Sequence, residues 1–236
     1  MFESSKSSSD RREFLAHVAT AAAVLAGTAC AVPLAASTLQ GAPGSGASHT
    51  TPFDDSWTRR VMAAKHKAVF DSPNVEDGLA LTHATLVMQG YRDQFGVAEG
   101  DVVPVVVLRH FATVIAMNDA LWAKYRLGEQ FKIKDPATDK DALRNPFIRV
   151  SKDDKNPLVA PDASIEGLLA SGAVLLACNR AAMRYAGQMA EKFHRDPEEV
   201  RAEVRAGIVP GVLLQPSGVY ATIRAQDVGC SFLRST

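Results

Sequence analysis

Residues 102–108 read VVPVVVL, six branched or leucine side chains around one proline, with no polar position in the run. A strand with one wet face would alternate apolar and polar residues. An unbroken β-branched run marks a strand covered on both faces, as in a parallel sheet under helices. Pro104 is tolerable near the start of such a strand and costly further along the ladder. The run therefore predicts a central strand of an α/β layer structure.

The flanking sequence supports this. Residues 67–71 (KAVFD) form a short apolar run closed by the turn chemistry of Asp71-Ser72-Pro73-Asn74. Over residues 76–95, Leu79, Leu81, Leu86, Met88, Tyr91 and Phe95 follow helical spacing, with Asn74 or Asp77 as cap and Gly96 as stop. Residues 112–127 again have helical spacing, ending at Gly128. Residues 164–171 read as a short helix and residues 172–177 (GAVLLA) as a strand. Residues 180–206 read as a helix broken near Asp196 and Pro197, where Asp196 caps a new first turn. A short strand at 211–215, a turn at 216–218 with Ser217 as cap, a helix at 219–228 and a last strand at 230–233 complete the chain. This alternation predicts a three-layer α/β/α sandwich with a mainly parallel sheet of about five strands. Residues 128–162 break the rhythm with Asp-Pro and Asn-Pro pairs and many charges, and read as a surface insertion and candidate lid.

Composition narrows the classes. With 47% hydrophobic and 22% charged residues, the 236-residue chain has material for a core. Lys+Arg and Asp+Glu are equal at 26 each, which argues against a dedicated nucleic-acid binder. Three cysteines are too few for a disulfide scaffold and lack metal-site spacing. His49, His66, His83, His110 and His194 form no H-x-x-x-H or H-E-x-x-H pair. Gly-rich phosphate loops, a G-x-S-x-G elbow, and heme or iron–sulfur motifs are absent from the sequence. No motif calls for a metal or a cofactor.

The N-terminus reads as an address. Arg11-Arg12-Glu13-Phe14-Leu15 precedes a weakly apolar stretch at 16–29 and the A-x-A site Ala29-Cys30-Ala31, with Ala35 and Ala36 as alternative cleavage points. The order resembles a twin-arginine (Tat) signal peptide, with Asp10 and Ala16 departing from its pattern. The expected organisation is a signal peptide at 1–36, a flexible Gly/Ser/Pro/Thr-rich lead-in at 37–62, and an α/β domain at 63–236. The expected compartment is the periplasm, with no membrane span left after cleavage.

Ligands of such sheets sit at the carboxyl ends of strands. That selects Asp71 and Asn74, Arg109 and His110, and Cys178 and Asn179. Cys178 ends its strand where a helix starts, a position that favours the thiolate form of a cysteine. It admits three readings: a reactive thiol, a small buried residue, or half of a disulfide with Cys230. The third is disfavoured by topology. In a parallel sheet the end of one strand and the start of another lie about 17 Å apart, and a bridge needs Cα atoms within about 7 Å.

One resemblance bears on these readings. VFDSPNVEDG, then VVVLRHFA, then LLACNRAA, then PGVLLQPSGVYATIRAQDVGCSFL occur in an order similar to the DsrE/DsrF-like family of sulfur-metabolism proteins. The likeness spans residues 67–233 without the insertion. It implies a homo-oligomer, a trimer or hexamer, and in relay members a persulfide on the cysteine matching Cys178. A sulfur donor or acceptor protein is then the implied partner. The Tat-like leader, the insertion and the lack of a Cys-rich C-terminal arm depart from the relay proteins. Two functions follow as expectations: an exported sulfur carrier or sulfurtransferase-like protein, or a non-catalytic homo-oligomer that binds a small ligand or assembles.

Overall fold

The computed structural model describes residues 53–98 and 100–236. The signal-peptide reading, Cys30, His49 and most of the lead-in lie outside the described residues. Residues 102–108 form β2 (Val102–Leu108), buried along its whole length. β1 (His66–Ser72) flanks it on one side and β3 (Val174–Cys178) on the other. The ladder to β3 begins at Val105, so Pro104 stands one residue before it. β4 (Leu213–Gln215) adds beyond β3 and β5 (Ser231–Arg234) beyond β1. All four pairings are parallel, in the order β4-β3-β2-β1-β5.

This order explains the layers. The chain steps from β1 to β4 in one direction, then returns across the sheet to β5. Parallel crossovers are right-handed, so reversing direction puts the last connection on the opposite face. On the first face Phe70, Val106, Leu108 and Leu175 pack with α2 (Leu79–Phe95), α6 (Asn179–Lys192) and α7 (Pro197–Ala206). On the second, Val69, Val105, Val107 and Leu176 pack with Ala221 and Ala225 of α8 (Gly218–Asp227). Successive strand residues thus serve opposite cores, the period-2 consequence of the pleat. The remaining helices are α1 (Trp57–Ala63), α3 (Asp119–Tyr125), α4 (Leu127–Phe131) and α5 (Ile165–Ala170).

Three expectations need correction. Residues 57–63 are not flexible lead-in but the helix α1, with Trp57 and Val61 buried in the second core. Fully burying one such side chain contributes about 1.5–3 kcal/mol, enough to order a turn whose polar neighbours suggested a linker. The helix expected over 112–127 is a 3-10 turn at His110–Ala116, an extended Met117, and the separate helices α3 and α4. Here the backbone pairs with the chain after α7: Asn118 N–H donates to Gly207 O at 2.8 Å and Val209 N–H to Ala116 O at 2.8 Å. Those long-range bonds outweigh helical spacing.

The insertion at 128–162 is irregular but packed. Ile133, Phe147 and Val159 are buried in the first core. The buried Asn145 amide donates to Ile115 O and Met117 O, both at 2.7 Å, while its Oδ1 accepts from Phe147 N–H at 2.9 Å. Gly78 sits at φ 80°, where a Cβ would also collide with Val159 and Phe147. Glycine there lets the insertion close against the start of α2.

Several boundaries agree with the sequence reading. Asp196 Oδ1 accepts from Glu198 and Glu199 N–H, both at 2.9 Å, and Pro197 opens α7. Ser217 Oγ accepts from Tyr220 N–H at 3.1 Å and caps α8.

Candidate functional site

β3 is followed by α6 on the first face and its neighbour β4 by α8 on the second. Where adjacent strands send their connections to opposite faces, a crevice opens beyond their carboxyl ends. A hollow of about 380 Å³ occupies this place, lined by Arg109, His110, Cys178, Arg180, Arg184 and Ser217 among others.

Each member is placed by backbone. Cys178 ends β3 and is the N-cap of α6; its Sγ accepts from Ala181 N–H at 3.4 Å. The residue is 7% exposed, yet it lines the open hollow. Arg180 and Arg184 lie one turn apart on α6, and both line the hollow. The Arg180 side chain has no hydrogen bond or ion pair among the described residues. The Arg184 guanidinium lies over the Tyr185 ring, 4.9 Å from its centroid, and its Nη2 donates to Tyr185 Oη at 2.9 Å.

Arg109 follows β2 and turns back to Asp71 at the end of β1. Its Nε and Nη2 donate to the two carboxylate oxygens at 2.6 and 2.7 Å. Hydrogen bonding to Asp71 is the main cause that raises the Arg109 pKa, with the Cys178 sulfur acting in the same direction. The Thr222 hydroxyl of α8 lies 3.2 Å from the same carboxylate. A Cβ at Gly218 would overlap the Arg109 Cβ. The glycine of PSGV therefore lets the α8 N-terminus come against the Arg109 stem. The result is one thiol in a hollow that three arginine residues and a serine also line. Such a surface attracts small anions.

The sequence-selected residues divide. Arg109, His110 and Cys178 line this hollow. Asp71 is buried and serves as the clamp of Arg109 rather than as a ligand contact. Asn74 lines a larger adjoining hollow, and its carbonyl accepts from Ser72 Oγ at 2.9 Å. Asn179 lines a separate hollow with Asp54 and Arg205 and does not join Cys178, because the first turn of α6 carries it to another side. Cys178 and Cys230 are both free and buried, on opposite faces of the sheet. Among the described residues no group of three or more His, Cys, Asp or Glu side chains could hold a metal ion. Nor is any helix among them long and apolar enough to cross a membrane.

No protein-family model and no curated protein matches the chain. Among solved structures it is similar to a protein of unknown function from Methanobacterium thermoautotrophicum. The identity is 14%, over 72% of this chain and 98% of that one, and the TM-score is 0.35. A likeness of that degree carries no argument about activity.

The sequence reading missed Arg180, Arg184 and Ser217 as parts of the site. For the arginines a signal was present. Once Cys178 is taken as a helix cap, positions 180 and 184 fall one turn apart in that same helix. Ser217 and Gly218 could not be joined to Arg109 without knowing that β4 ends beside β3.

Proposed function

We propose that the chain is an exported sulfur carrier of the DsrE/DsrF-like kind, with Cys178 accepting and handing on sulfane sulfur. The observation that carries this is the setting of Cys178: the capping sulfur of α6 lines an open hollow shared by Arg109, Arg180 and Arg184. In the loading step the Cys178 thiolate attacks the outer sulfur of a donor such as thiosulfate. A bond forms from Sγ to that sulfur, the old sulfur–sulfur bond breaks, and sulfite leaves with its electron pair. The guanidinium groups hold the donor's oxygens and the leaving anion. Export is supported by the Tat-like order of residues 1–36, and a trimer or hexamer by the family resemblance.

A second reading is a non-catalytic homo-oligomer that binds a small anion. Val219, which lines the hollow, and Tyr220 and Ile223 are exposed side chains of α8, suited to contact another subunit. Intact mass of the purified protein after incubation with thiosulfate or polysulfide separates the two, beside a Cys178→Ser control. The carrier gains the mass of a sulfur atom, lost in the control and removed by reductant. No adduct, with Cys178 alkylated only after unfolding, sinks the carrier reading and leaves the second.

A further inference from the structure

The hollow at Cys178 is not isolated. His110 and Arg184 also line a second, larger hollow of about 630 Å³. That volume lies within the range of about 300–1,000 Å³ typical of small-molecule sites. A bare inorganic sulfur anion would fill only part of the Cys178 hollow and make no use of the second.

The second hollow is chemically different from the first. Phe111, Phe131 and Tyr185 supply an aromatic wall, with edge-on pairs at 6.5 Å between the phenylalanines and 5.0 Å between Phe131 and Tyr185. Glu76 and Asp77 bring carboxylates and Lys132 an ammonium to the same space. The side chains of Asp77 and Lys132 have no hydrogen bond or ion pair among the described residues. Among the described residues the Glu76 side chain meets only the Asn74 amide, at 3.5 Å. Glu76, Asp77, His110 and Lys132 hold φ of 40°, 49°, 53° and 57°, four of the nine positive φ values at non-glycine positions among the described residues. Non-glycine residues rarely adopt such values, and they cluster at sites where the surrounding structure imposes them.

Solvent-exposed charges of both signs at the rim of an aromatic-walled hollow match a small zwitterion. Accordingly, we infer that the sulfur donor is a low-molecular-weight aminothiol persulfide, of amino-acid or short-peptide type. Its ammonium group faces Glu76 and Asp77, its carboxylate faces Lys132 or Arg184, and its sulfane sulfur lies in the Cys178 hollow. This deepens the carrier reading and rests on it. In the step, the Cys178 thiolate attacks the outer sulfur of R–S–SH. The new sulfur–sulfur bond forms on Cys178, the old one breaks, and R–S⁻ leaves with the electron pair. The proton stays on the transferred sulfur, and no external oxidant or reductant is needed.

The test is the rate of Cys178 persulfidation, read by intact mass, with three donors: cysteine persulfide, 3-mercaptopropionate persulfide, which lacks the ammonium group, and inorganic polysulfide. The expected result is loading about tenfold faster from cysteine persulfide than from its amine-free analogue, the scale of one lost charge-assisted contact. In the Glu76→Gln/Asp77→Asn double variant the ratio of those two rates should fall toward one. Equal rates from the two organic donors in the wild-type protein overturn the inference, as does a ratio unchanged in the double variant. If polysulfide loads Cys178 while the organic donors do not differ, this inference fails and the carrier reading stands. If none of the three loads Cys178, the carrier reading fails and takes this one with it.

Discussion

Arg109, just after β2, and Asp71 in the neighbouring β1, 38 positions apart in sequence, meet in a two-point ion pair at 2.6 and 2.7 Å. Both belong to strand-end segments, yet they have different duties. Asp71 spends its carboxylate on Arg109 and on the Thr222 hydroxyl, and so sets where the guanidinium stands beside Cys178.

Asp71→Asn should therefore act on stability and on anion binding together. The Asp71 side chain is 6% exposed and that of Arg109 27%, so the cost belongs at the lower end of the range for broken buried pairs, about 2–3 kcal/mol. Urea denaturation measures it. A loss under about 1 kcal/mol would mean that water replaces the clamp at little cost.

Gly218→Ala tests the close approach of α8 to Arg109. The added methyl overlaps the Arg109 stem, and overpacking of this kind costs about 1–3 kcal/mol. Sulfate should raise the melting temperature of the wild-type protein by occupying the arginine hollow, and this rise should shrink in the variant. Ser217→Ala, which removes only the cap, should cost about 1 kcal/mol. Equal sulfate responses in wild type and Gly218→Ala would show that Arg109 does not depend on this contact.

The two described cysteines should part company under alkylation. Burial pushes the Cys230 thiol up to about 11, so it stays protonated at pH 8. In a Cys30→Ala background, native protein at pH 8 should be labelled at Cys178 and spared at Cys230 until urea unfolds it. The linkage has a sign. Because the folded pKa lies above the unfolded value, the protonated thiol's contribution is intact below about pH 8.5. It is lost as pH rises through about 11. Cys230 labelling first would contradict the assignment of Cys178 as the thiol reached through the hollow.

Glu203 predicts an acid limb. Lys124 donates to its carboxylate at 2.8 and 2.9 Å, Tyr125 Oη at 2.5 Å and Arg195 Nη1 at 2.9 and 3.1 Å. These bonds, that from Lys124 first, hold its pKa down to about 2. A depressed carboxylate contributes stability above its unfolded pKa of about 4.3 and loses it on the way down to the folded value. The melting temperature of Glu203→Gln should lie below that of the wild-type protein at pH 6. The gap should close between about pH 4.3 and pH 2. A gap independent of pH would assign Glu203 a steric role only.

Much of the layer structure is legible along the chain because it is written in local chemistry. An all-apolar β-branched run admits a strand buried on both faces and little else, and β2 is that strand. Asp196 with Pro197 and Ser217 with Gly218 mark helix starts through bonds that span two or three residues. Where the reading failed, the deciding bonds were long-range. Helical spacing over 112–127 yields to backbone pairing with residues 207–209, and the polar composition near residue 57 yields to the burial of Trp57 and Val61.

The candidate site divides in the same way. The strand-end rule reached Cys178, Arg109 and His110 from sequence alone, because the end of a strand is a local property. It placed Asp71 and Asn179 in the ligand's path as well, since direction of view and choice of partner are not local. By itself the sequence determined the five strands and the helices α2, α5, α6, α7 and α8, the two-faced burial of the central strand and the position of a thiol at a helix start. Only the tertiary structure decided that β4 lies beside β3 and that α8 returns over the opposite face. That arrangement brings Arg109, Arg180, Arg184 and Ser217 to the hollow that Cys178 lines. The reason is physical: side-chain period and capping act over a few residues, whereas strand order is settled by how the two faces of one sheet are covered.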